Sequence, residues 1–395
     1  MHIVESVTLN DVIRAIIVAW AAMFLLKRAG AIHSYLHPLT PTFFQSSLTV
    51  GLLGFVVIPL GHVISLVLMF AMLCYGTRRP HPPSLAEHNG WRRVIPLFVI
   101  LSLVVNAYLI ANKGFLLGSD DVGEARVEFY QGWGLFQRFN TACSIVLGAH
   151  WANEFLKGKW LKPKNLALLL WIVYLTLTLG SKAGLLSLLT LIGAATYFSD
   201  REIRASRLVI PVLTVTVSVA GMFFLFYGVE ALVGFFTRFV SYADGPFYFF
   251  GFDHPLHVSL TYPFQQLMVA LRLIPKLPEA SLGPAINLEQ FGFDSDLYGP
   301  NPQIFVESVA ILGPLYPLYY LFIGGLMLVL LRRARSVYSL ALYASIAAPL
   351  MIDSQLAFSN MFNVMLALVL RFIGSTLSRR IDAKKIEARH LPRIQ

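Results

Sequence analysis

The sequence predicts an all-α integral membrane protein, a polytopic bundle of about ten transmembrane helices that form a single domain. Apolar residues make up 56% of its 395 residues and charged residues only 13%, with a mean hydropathy of +0.66. Soluble domains carry roughly 25% charged residues. Apolar runs of about 15 residues or more recur along the whole chain, and such runs are typical of membrane-spanning helices.

Ten spans follow from the order and length of these runs. Residues 166–198 would measure about 50 Å as one helix, against a hydrocarbon layer of about 30 Å. We therefore expect the Gly-Ser-Lys sequence at 180–182 to form a turn between two short spans, near the membrane edge. The predicted spans are 11–26, 46–75, 94–111, 136–155, 166–180, 183–198, 208–230, 304–331, 337–353 and 357–377.

The positions of lysine and arginine orient these spans. Positive charge accumulates on the cytoplasmic side of membrane proteins. We therefore expect both termini, including the basic tail 378–395, in the cytoplasm. The net charge of +10 is a topology signal of this kind and does not predict a nucleic-acid partner. Of the 31 Lys and Arg residues, 20 fall on one side of a ten-span chain, in segments 77–93, 156–164, 200–207, 332–335 and 378–395.

Two segments are predicted to face the opposite, outer side. The smaller is the acidic segment 112–134, and the larger is 231–302, which contains fourteen aromatic residues. Apolar residues at helical spacing in the larger segment predict a short helix at 263–274 that lies on the membrane interface. Cys74 and Cys143 fall inside predicted spans, so neither a disulfide nor a thiolate metal site is expected.

A few cations on the outer side are not explained by topology. Guanidinium and ammonium groups at a membrane edge suit phosphate oxygens, to which they donate charge-assisted hydrogen bonds. Lys182 has further support because Ser181 can cap the following helix, whose free N–H groups attract anions. The alternative role for Lys182 is simple contact with lipid headgroups. The cations concerned are Arg126, Lys182, Arg238, Arg272 and Lys276.

Two aromatic residues follow Arg126 closely in the smaller outer segment. Tyr130 and Trp133 could present their rings to a sugar diphosphate next to that cation. The alternative role of this pair is membrane anchoring, because tyrosine and tryptophan are enriched at membrane–water interfaces.

Candidate proton acceptors lie in or next to the larger outer segment. Asp253, His254 and His257 precede the predicted interfacial helix, and Glu307 lies about one turn into the span that follows. A hydroxyl nucleophile needs such a group within hydrogen-bond reach. The histidines lack a third ligand at recognisable spacing, so no metal site is predicted. The alternative role of Glu307 is structural, because the helix dipole favours a carboxylate near a helix N-terminus.

The chain resembles the bacterial O-antigen polymerases, the Wzy-type enzymes that polymerise oligosaccharide repeat units. The many spans carry this resemblance, together with "TLTLGSKAGLLSLL" between two central spans and a large outer segment followed by "NPQIFVESVAILGPLY". The related O-antigen ligases have a His-(Asn/Ser/Gln)-x9-Gly-x-x-(Gly/Thr/Tyr) junction. Gln303, Gly313 and Tyr316 match its spacing, but Pro302 replaces the ligase histidine, which favours polymerase over ligase activity.

The resemblance implies a glycosyltransferase reaction at the periplasmic face of the bacterial inner membrane. A growing glycan on undecaprenyl diphosphate would be transferred to a sugar hydroxyl of an incoming lipid-linked repeat unit. The residues then expected to bind the diphosphate leaving group are Arg126, Lys182, Arg272 and Arg238. The residues expected to bind sugar are Tyr130 and Trp133. The expected proton acceptor is Glu307, followed by His257 and Asp253.

The resemblance also bears on cofactors and partners. No cofactor is expected, because the sugar–diphosphate bond supplies the energy and the sequence contains no P-loop. The lipid bilayer and the lipid-linked oligosaccharide are expected partners, and a chain-length regulator protein is a candidate partner. Two other classes stay open. A flippase of lipid-linked sugars would use a similar basic, aromatic-lined cavity, although the lack of an internal repeat disfavours it. A membrane acyltransferase would need a histidine such as His254 or His257.

Overall fold

A computed structural model describes residues 57–77, 85–114, 128–159, 161–179, 217, 221, 244–250, 256–292 and 299–390. All regular secondary structure in these residues is helical. The α-helices are α1 (Leu60–Gly76), α2 (Leu85–Lys113), α3 (Gly134–Leu156), α4 (Pro163–Thr178), α5 (Asp244–Phe249), α6 (Gln265–Ala270), α7 (Leu282–Phe291), α8 (Gln303–Leu312), α9 (Tyr316–Arg333), α10 (Val337–Ala347) and α11 (Ser354–His390). Single 3-10 turns occur at Tyr262–Phe264, Gly313–Leu315 and Pro349–Met351.

The chain divides into two compact units, each of which is described by itself, and the single membrane domain stays a prediction. Unit 1 draws its described residues from Met1–Pro80, Gly228–Arg332 and Ala347–Ser359. Unit 2 draws them from His81–Tyr227, Arg333–Ile346 and Asn360–Gln395. Unit 1 therefore holds α1, α5 to α9 and the first residues of α11, and unit 2 holds α2 to α4, most of α10 and the rest of α11.

Within the described residues, three helical stretches are long and apolar enough to cross a membrane. They are Glu87–Lys113, Gln303–Arg333 and Ser354–Ser378, and they coincide with the predicted spans 94–111, 304–331 and 357–377. The membrane character of the chain is thus supported, whereas ten spans and the sidedness of the loops stay predictions. The predicted spans 11–26 and 183–198, almost all of 208–230 and the 180–182 turn lie outside the described residues. Shorter apolar helices occur at Leu60–Gly76, Pro163–Thr176 and Val337–Met351.

The predicted span 304–331 is interrupted rather than continuous. Helix α8 ends at Leu312, and a 3-10 turn over Gly313–Leu315 precedes α9. Gly313 has a φ of 54°, which glycine adopts without a Cβ clash. Pro314 has no N–H to donate to a continuing helix. These two residues explain the break, and hydropathy alone does not register either of them.

The predicted interfacial helix at 263–274 ends four residues early. The structure has a 3-10 turn followed by α6, which ends at Ala270. Arg272 then takes a left-handed backbone with a φ of 56°. The side chains of Arg272 and Leu273 are exposed in the turn that follows α6, so Arg272, which falls inside the predicted helix range, lies beyond the end of the helix.

The core of unit 1 joins the loop helices to α8. Helix α5 packs against both α7 and α8. The Val258 N–H donates to the Ala310 carbonyl at 2.9 Å, which fastens the segment before α6 to α8. The loop helices therefore cover the N-terminal half of the interrupted span. The buried residues of this core are Phe249, Tyr262, Leu282, Ile286, Val306 and Ala310.

Close backbone contacts hold the segment that enters α8. The Asp244 carboxylate accepts a hydrogen bond from the Asn301 N–H at 2.9 Å. Gly245 lies so close to the Asn301 carbonyl that a Cβ there would overlap it. Gly283 and Gly299 make a similar close approach. Because backbone atoms form these contacts, rotamer changes cannot relieve a larger side chain.

Gly245→Ala is expected to destabilise unit 1 by about 1–3 kcal/mol, because the added methyl overlaps fixed backbone. The measurement is the thermal unfolding midpoint of the detergent-solubilised protein. Gly325→Ala is the control, since a Cβ there has nothing within 4 Å and the site is inside α9. The control should be neutral or gain about 0.5–1 kcal/mol. Equal midpoints for Gly245→Ala and wild type would contradict the close contact.

Unit 2 is built on side-by-side packing of α2, α3 and α4. Buried polar groups are paired between these helices. Asn106 Nδ2 donates to Asn140 Oδ1 at 3.0 Å, and Trp171 Nε1 donates to Ser102 Oγ at 2.9 Å. Hydrogen bonds between helices are the expected way to keep polar groups inside an apolar bundle.

A second feature of unit 2 is an aromatic joint between α2, α3, α10 and α11. The Trp91 and Tyr338 rings stack with their centroids 5.8 Å apart. The Arg371 guanidinium carbon lies 4.6 Å from the centroid of the Trp91 ring. His150 Nδ1 and the Tyr338 hydroxyl are 2.9 Å apart. Arg371 lies within a predicted span, where its guanidinium makes a cation–π contact with the Trp91 ring.

Candidate functional site

The candidate site is built around the carboxylate of Glu307, on the second turn of α8. Its side chain is fully buried. The Tyr319 hydroxyl donates to Glu307 Oε2 at 3.0 Å, and the Ser354 backbone N–H donates to Oε1 at 2.9 Å. Three helices, α8, α9 and α11, thus hold this carboxylate in one place.

The start of α11 explains why carboxylates gather here. The first N–H groups of a helix have no partner within the helix, and the helix dipole places positive charge there. Asp353 Oδ1 accepts the Leu356 N–H at 3.1 Å and caps α11. Glu307, on α8, accepts a hydrogen bond from the Ser354 N–H at the start of α11. Two carboxylates therefore share one helix N-terminus, where the negative charges of Asp353 and Glu307 repel each other.

The hydrogen bonds leave Glu307 with unused acceptor capacity. A carboxylate has about four lone-pair positions, and the Tyr319 hydroxyl, the Ser354 N–H and the Ser354 side chain occupy three of those of Glu307. One position is left for a further hydrogen bond, from a ligand hydroxyl for example. A fixed, buried carboxylate with a free lone pair has the geometry required of a general base. It also has the geometry of a purely structural helix cap, and activity measurements separate the two roles.

Buried amide and hydroxyl groups accompany this carboxylate, and sequence reasoning missed them. Gln265 on α6, together with Ser354 and Gln355 on α11, has its side chain fully buried in unit 1. Tyr319 was missed as well. These residues are separated by up to 90 positions and match no motif, and the break between α8 and α9 hides the pairing of Tyr319 with Glu307 from any helical period.

Tyr262, in the 3-10 turn before α6, lies close enough to Glu307 and Asp353 to be affected by their charges. Its hydroxyl accepts the Leu282 N–H at 2.9 Å. Burial raises the pKa of Tyr262, and the nearby charges of Asp353 and Glu307 raise it further. The hydroxyl therefore stays protonated throughout the physiological pH range, and it does not compete with Glu307 as a proton acceptor.

The other predicted acid, base and phosphate ligands are placed as follows. His257 is exposed in the extended segment before α6, and Arg272 and Lys276 are exposed in the turn after it. The structure does not join any of these three to Glu307 by a hydrogen bond, so their roles stay predictions. The remaining candidates, Arg126, Lys182, Arg238, Asp253 and His254, lie outside the described residues.

The two predicted sugar-binding aromatics belong to unit 2, whereas Glu307 belongs to unit 1. Tyr130 is buried, and its hydroxyl accepts from Asn140 Nδ2 at 2.9 Å and donates to Thr178 Oγ1 at 3.4 Å. Burial raises the pKa of Tyr130. Trp133 is half-buried and stacks on Phe136 with ring centroids 5.2 Å apart. Sugar binding by this pair stays a prediction.

The residues that match the ligase-like spacing mark the ends of helices. Gln303 begins α8 with a φ of 55° and is almost fully buried. Gly313 follows the end of α8, and Tyr316 begins α9. A left-handed backbone at a residue other than glycine costs about 1–2 kcal/mol. The spacing thus measures the length of α8, the helix that carries Glu307.

Metal ligation is not indicated within the described part of the chain. It contains no group of three or more His, Cys, Asp or Glu side chains that could hold an ion. Cys74 and Cys143 are both free thiols.

Comparisons with known proteins do not assign the chain to a family. No family model matches it, and neither a characterised protein nor a solved structure shows significant similarity to it.

Proposed function

We propose that this protein is a membrane glycosyltransferase that polymerises lipid-linked oligosaccharide repeat units. A hydroxyl oxygen of the acceptor sugar bonds to the anomeric carbon of the donor glycan. The bond from that carbon to the diphosphate oxygen breaks, and undecaprenyl diphosphate leaves with the electron pair. The hydroxyl proton passes to the Glu307 carboxylate.

The observation that carries this proposal is the arrangement of Glu307. Its carboxylate is fully buried, is fixed by Tyr319 and Ser354, and retains one lone-pair position for a further hydrogen bond. It lies near the N-terminus of the helical stretch Gln303–Arg333, which is long and apolar enough to cross a membrane. A carboxylate near one end of such a stretch suits a substrate whose sugar is tethered to a membrane lipid.

The leaving diphosphate requires positive charge, and the proposed source is a set of sequence-predicted cations. Charge that develops on the diphosphate is stabilised best by preorganised cations in a site of low dielectric. Arg272 is exposed on the loop that covers α8 and can approach a lipid-linked diphosphate. Lys182, Arg126 and Arg238 complete the proposed set on sequence grounds. In this proposal the reaction takes place on the periplasmic side of the bacterial inner membrane.

The glycan ladder of a deletion strain tests this function. Loss of a polymerase should leave single repeat units attached to the lipid acceptor and remove all longer chains. Loss of a flippase should remove single repeats as well, and loss of a ligase should leave long chains on undecaprenyl diphosphate. Disappearance of the single-repeat product would overturn the polymerase proposal.

Lys182→Ala is expected to abolish long chains at unchanged protein level, because a diphosphate site loses its cation. Lys182→Arg should retain part of the activity, since a guanidinium also binds phosphate. The measurement is the glycan ladder of a deletion strain that carries each variant. Lys162→Ala is the matched control, because this lysine is exposed in segment 156–164, which is predicted to face the cytoplasm, and it should give normal ladders. Normal ladders from Lys182→Ala would remove this residue from the phosphate role.

A further inference from the structure

Helix α6 and the residues next to it are fastened to the end of a membrane-spanning stretch. Gln266 Nε2 donates to Gln355 Oε1 at 3.2 Å, and the ring centroids of Phe264 and Phe358 are 4.3 Å apart. Gln355 and Phe358 lie in the first two turns of Ser354–Ser378, which is long and apolar enough to cross a membrane. Helix α6 therefore lies beside the end of a span, at the level where a membrane meets water.

The turn after α6 carries exposed leucines on both sides of a cation. We call residues 271–276 the α6 turn, and its sequence is Leu-Arg-Leu-Ile-Pro-Lys. Leu273 is 70% exposed and Leu271 is 40% exposed. Arg272, between them, takes a left-handed backbone, which is unfavourable for a residue other than glycine. The chain accepts this strain at the position that presents both leucines outward.

The backbone at the start of the α6 turn is paired within the protein. The N–H groups of residues 271, 272 and 273 donate to carbonyl oxygens of α6 at 2.9, 3.0 and 2.9 Å. In a helix end of this type, the residue at the position of Leu273 frequently packs its side chain back on the helix. Leu273 is exposed instead. A paired backbone with outward apolar side chains suits contact with lipid, where unpaired N–H groups are costly.

The charges of the α6 turn select a phospholipid surface as its partner. Arg272 and Lys276 are both exposed next to the leucines. At a membrane interface, leucine enters the boundary of the acyl chains while arginine and lysine extend their charged ends to the headgroups. A membrane is also the partner that the neighbouring span brings with it, whereas a second protein would have to supply a matching apolar and anionic face.

We propose that the α6 turn docks into the membrane interface beside the start of α11. Leu271 and Leu273 enter the boundary between headgroups and acyl chains, and Arg272 and Lys276 bind phospholipid phosphates. This inference goes beyond the proposed polymerase function, because its ligand is bilayer lipid and it requires no glycan transfer. The docked turn holds the loop that covers α8 at the membrane surface.

Spin-label accessibility in the full-length protein tests this docking. Cys74 and Cys143 are free thiols, so both are first replaced by alanine and one new cysteine carries the label. The protein is reconstituted into liposomes of phosphatidylcholine and phosphatidylglycerol. Oxygen collects among acyl chains and a nickel chelate stays in water, so the ratio of their collision rates with the label reports its surroundings. The ratio for Leu273→Cys should exceed that for Glu289→Cys, at an exposed position on α7, several-fold.

Each other outcome of this measurement overturns the docking. A ratio at Leu273 as low as at Glu289 would place the α6 turn in water. Poor access of both reagents would mean that a second copy or another protein covers the turn. Leu271→Cys gives the same readout if Leu273→Cys folds poorly, because its side chain is also exposed. The measurement needs no glycan transfer, so failure of the polymerase proposal leaves its result intact.

Discussion

Glu307→Gln is expected to slow glycan transfer by about 10²–10⁴-fold while the protein folds and enters the membrane normally. Glutamine has the shape of glutamate, and its amide oxygen can still accept the Ser354 N–H. Its amide nitrogen can donate to the Tyr319 oxygen if that hydroxyl rotates. The packing is therefore preserved, whereas the proton acceptor is lost.

The measurement is the transfer rate in proteoliposomes, together with the glycan ladder in a deletion strain. Glu307→Leu provides the structural comparison. It leaves the Tyr319 hydroxyl and the Ser354 N–H buried without an acceptor, which costs about 1–3 kcal/mol for each group. We expect Glu307→Leu to lose both activity and stability, and Glu307→Gln to lose activity alone.

Tyr319→Phe refines the assignment. It removes one donor to Glu307 Oε2 and leaves the carboxylate in place. The rate should fall less than in Glu307→Gln, because the base is retained but less firmly oriented. A Glu307→Gln variant with normal ladders would show that this carboxylate only caps α11, and His257 and Asp253 would become the leading bases.

The helices could be predicted where a long apolar run defines them, and not where the backbone conformation of single residues sets a helix end. The spans 94–111 and 357–377 were located because long apolar runs have few other solutions in a membrane protein. Helix α2 begins at Leu85, before its predicted span, since polar residues at a helix end carry no hydropathy signal. The end of α6 depends on a left-handed turn at Arg272, which no periodicity reports.

The candidate site was predictable only in its charged member. Glu307 stands out because a carboxylate inside an apolar run is rare and expensive. Gln265 and Gln355 do not stand out, since glutamine is common and these two are 90 residues apart. Their pairing depends on the loop folding back over the start of α11, which is tertiary information. Sequence reasoning therefore found the buried carboxylate but not the groups that surround it.

Trp91→Ala is expected to destabilise unit 2 by about 3–5 kcal/mol, the largest effect we expect of any substitution outside the site. The Trp91 ring is fully buried, stacks on Tyr338 and supports the Arg371 guanidinium. Its removal leaves a large cavity and deprives a cation inside an apolar helix of its contact. The measurement is the thermal unfolding midpoint in detergent, which should fall by several degrees.

Trp133→Ala is the matched control, because Trp133 is half-buried and stacks on Phe136 near a helix end. It should lower the midpoint far less, and it should reduce glycan transfer if Trp133 binds sugar as predicted. The two tryptophans are thus expected to separate stability from activity.

Trp91→Phe tests which part of the side chain is responsible. Trp91 Nε1 has no hydrogen-bond partner, so the aromatic face and its volume must account for the stabilisation. Phenylalanine keeps a face for Tyr338 and Arg371 and should lose less than half of the effect of alanine. Arg371→Met removes the charge but keeps the packing on the ring, so its midpoint should stay close to that of wild type. A midpoint for Trp91→Ala equal to that of wild type would mean that the aromatic joint does not stabilise unit 2.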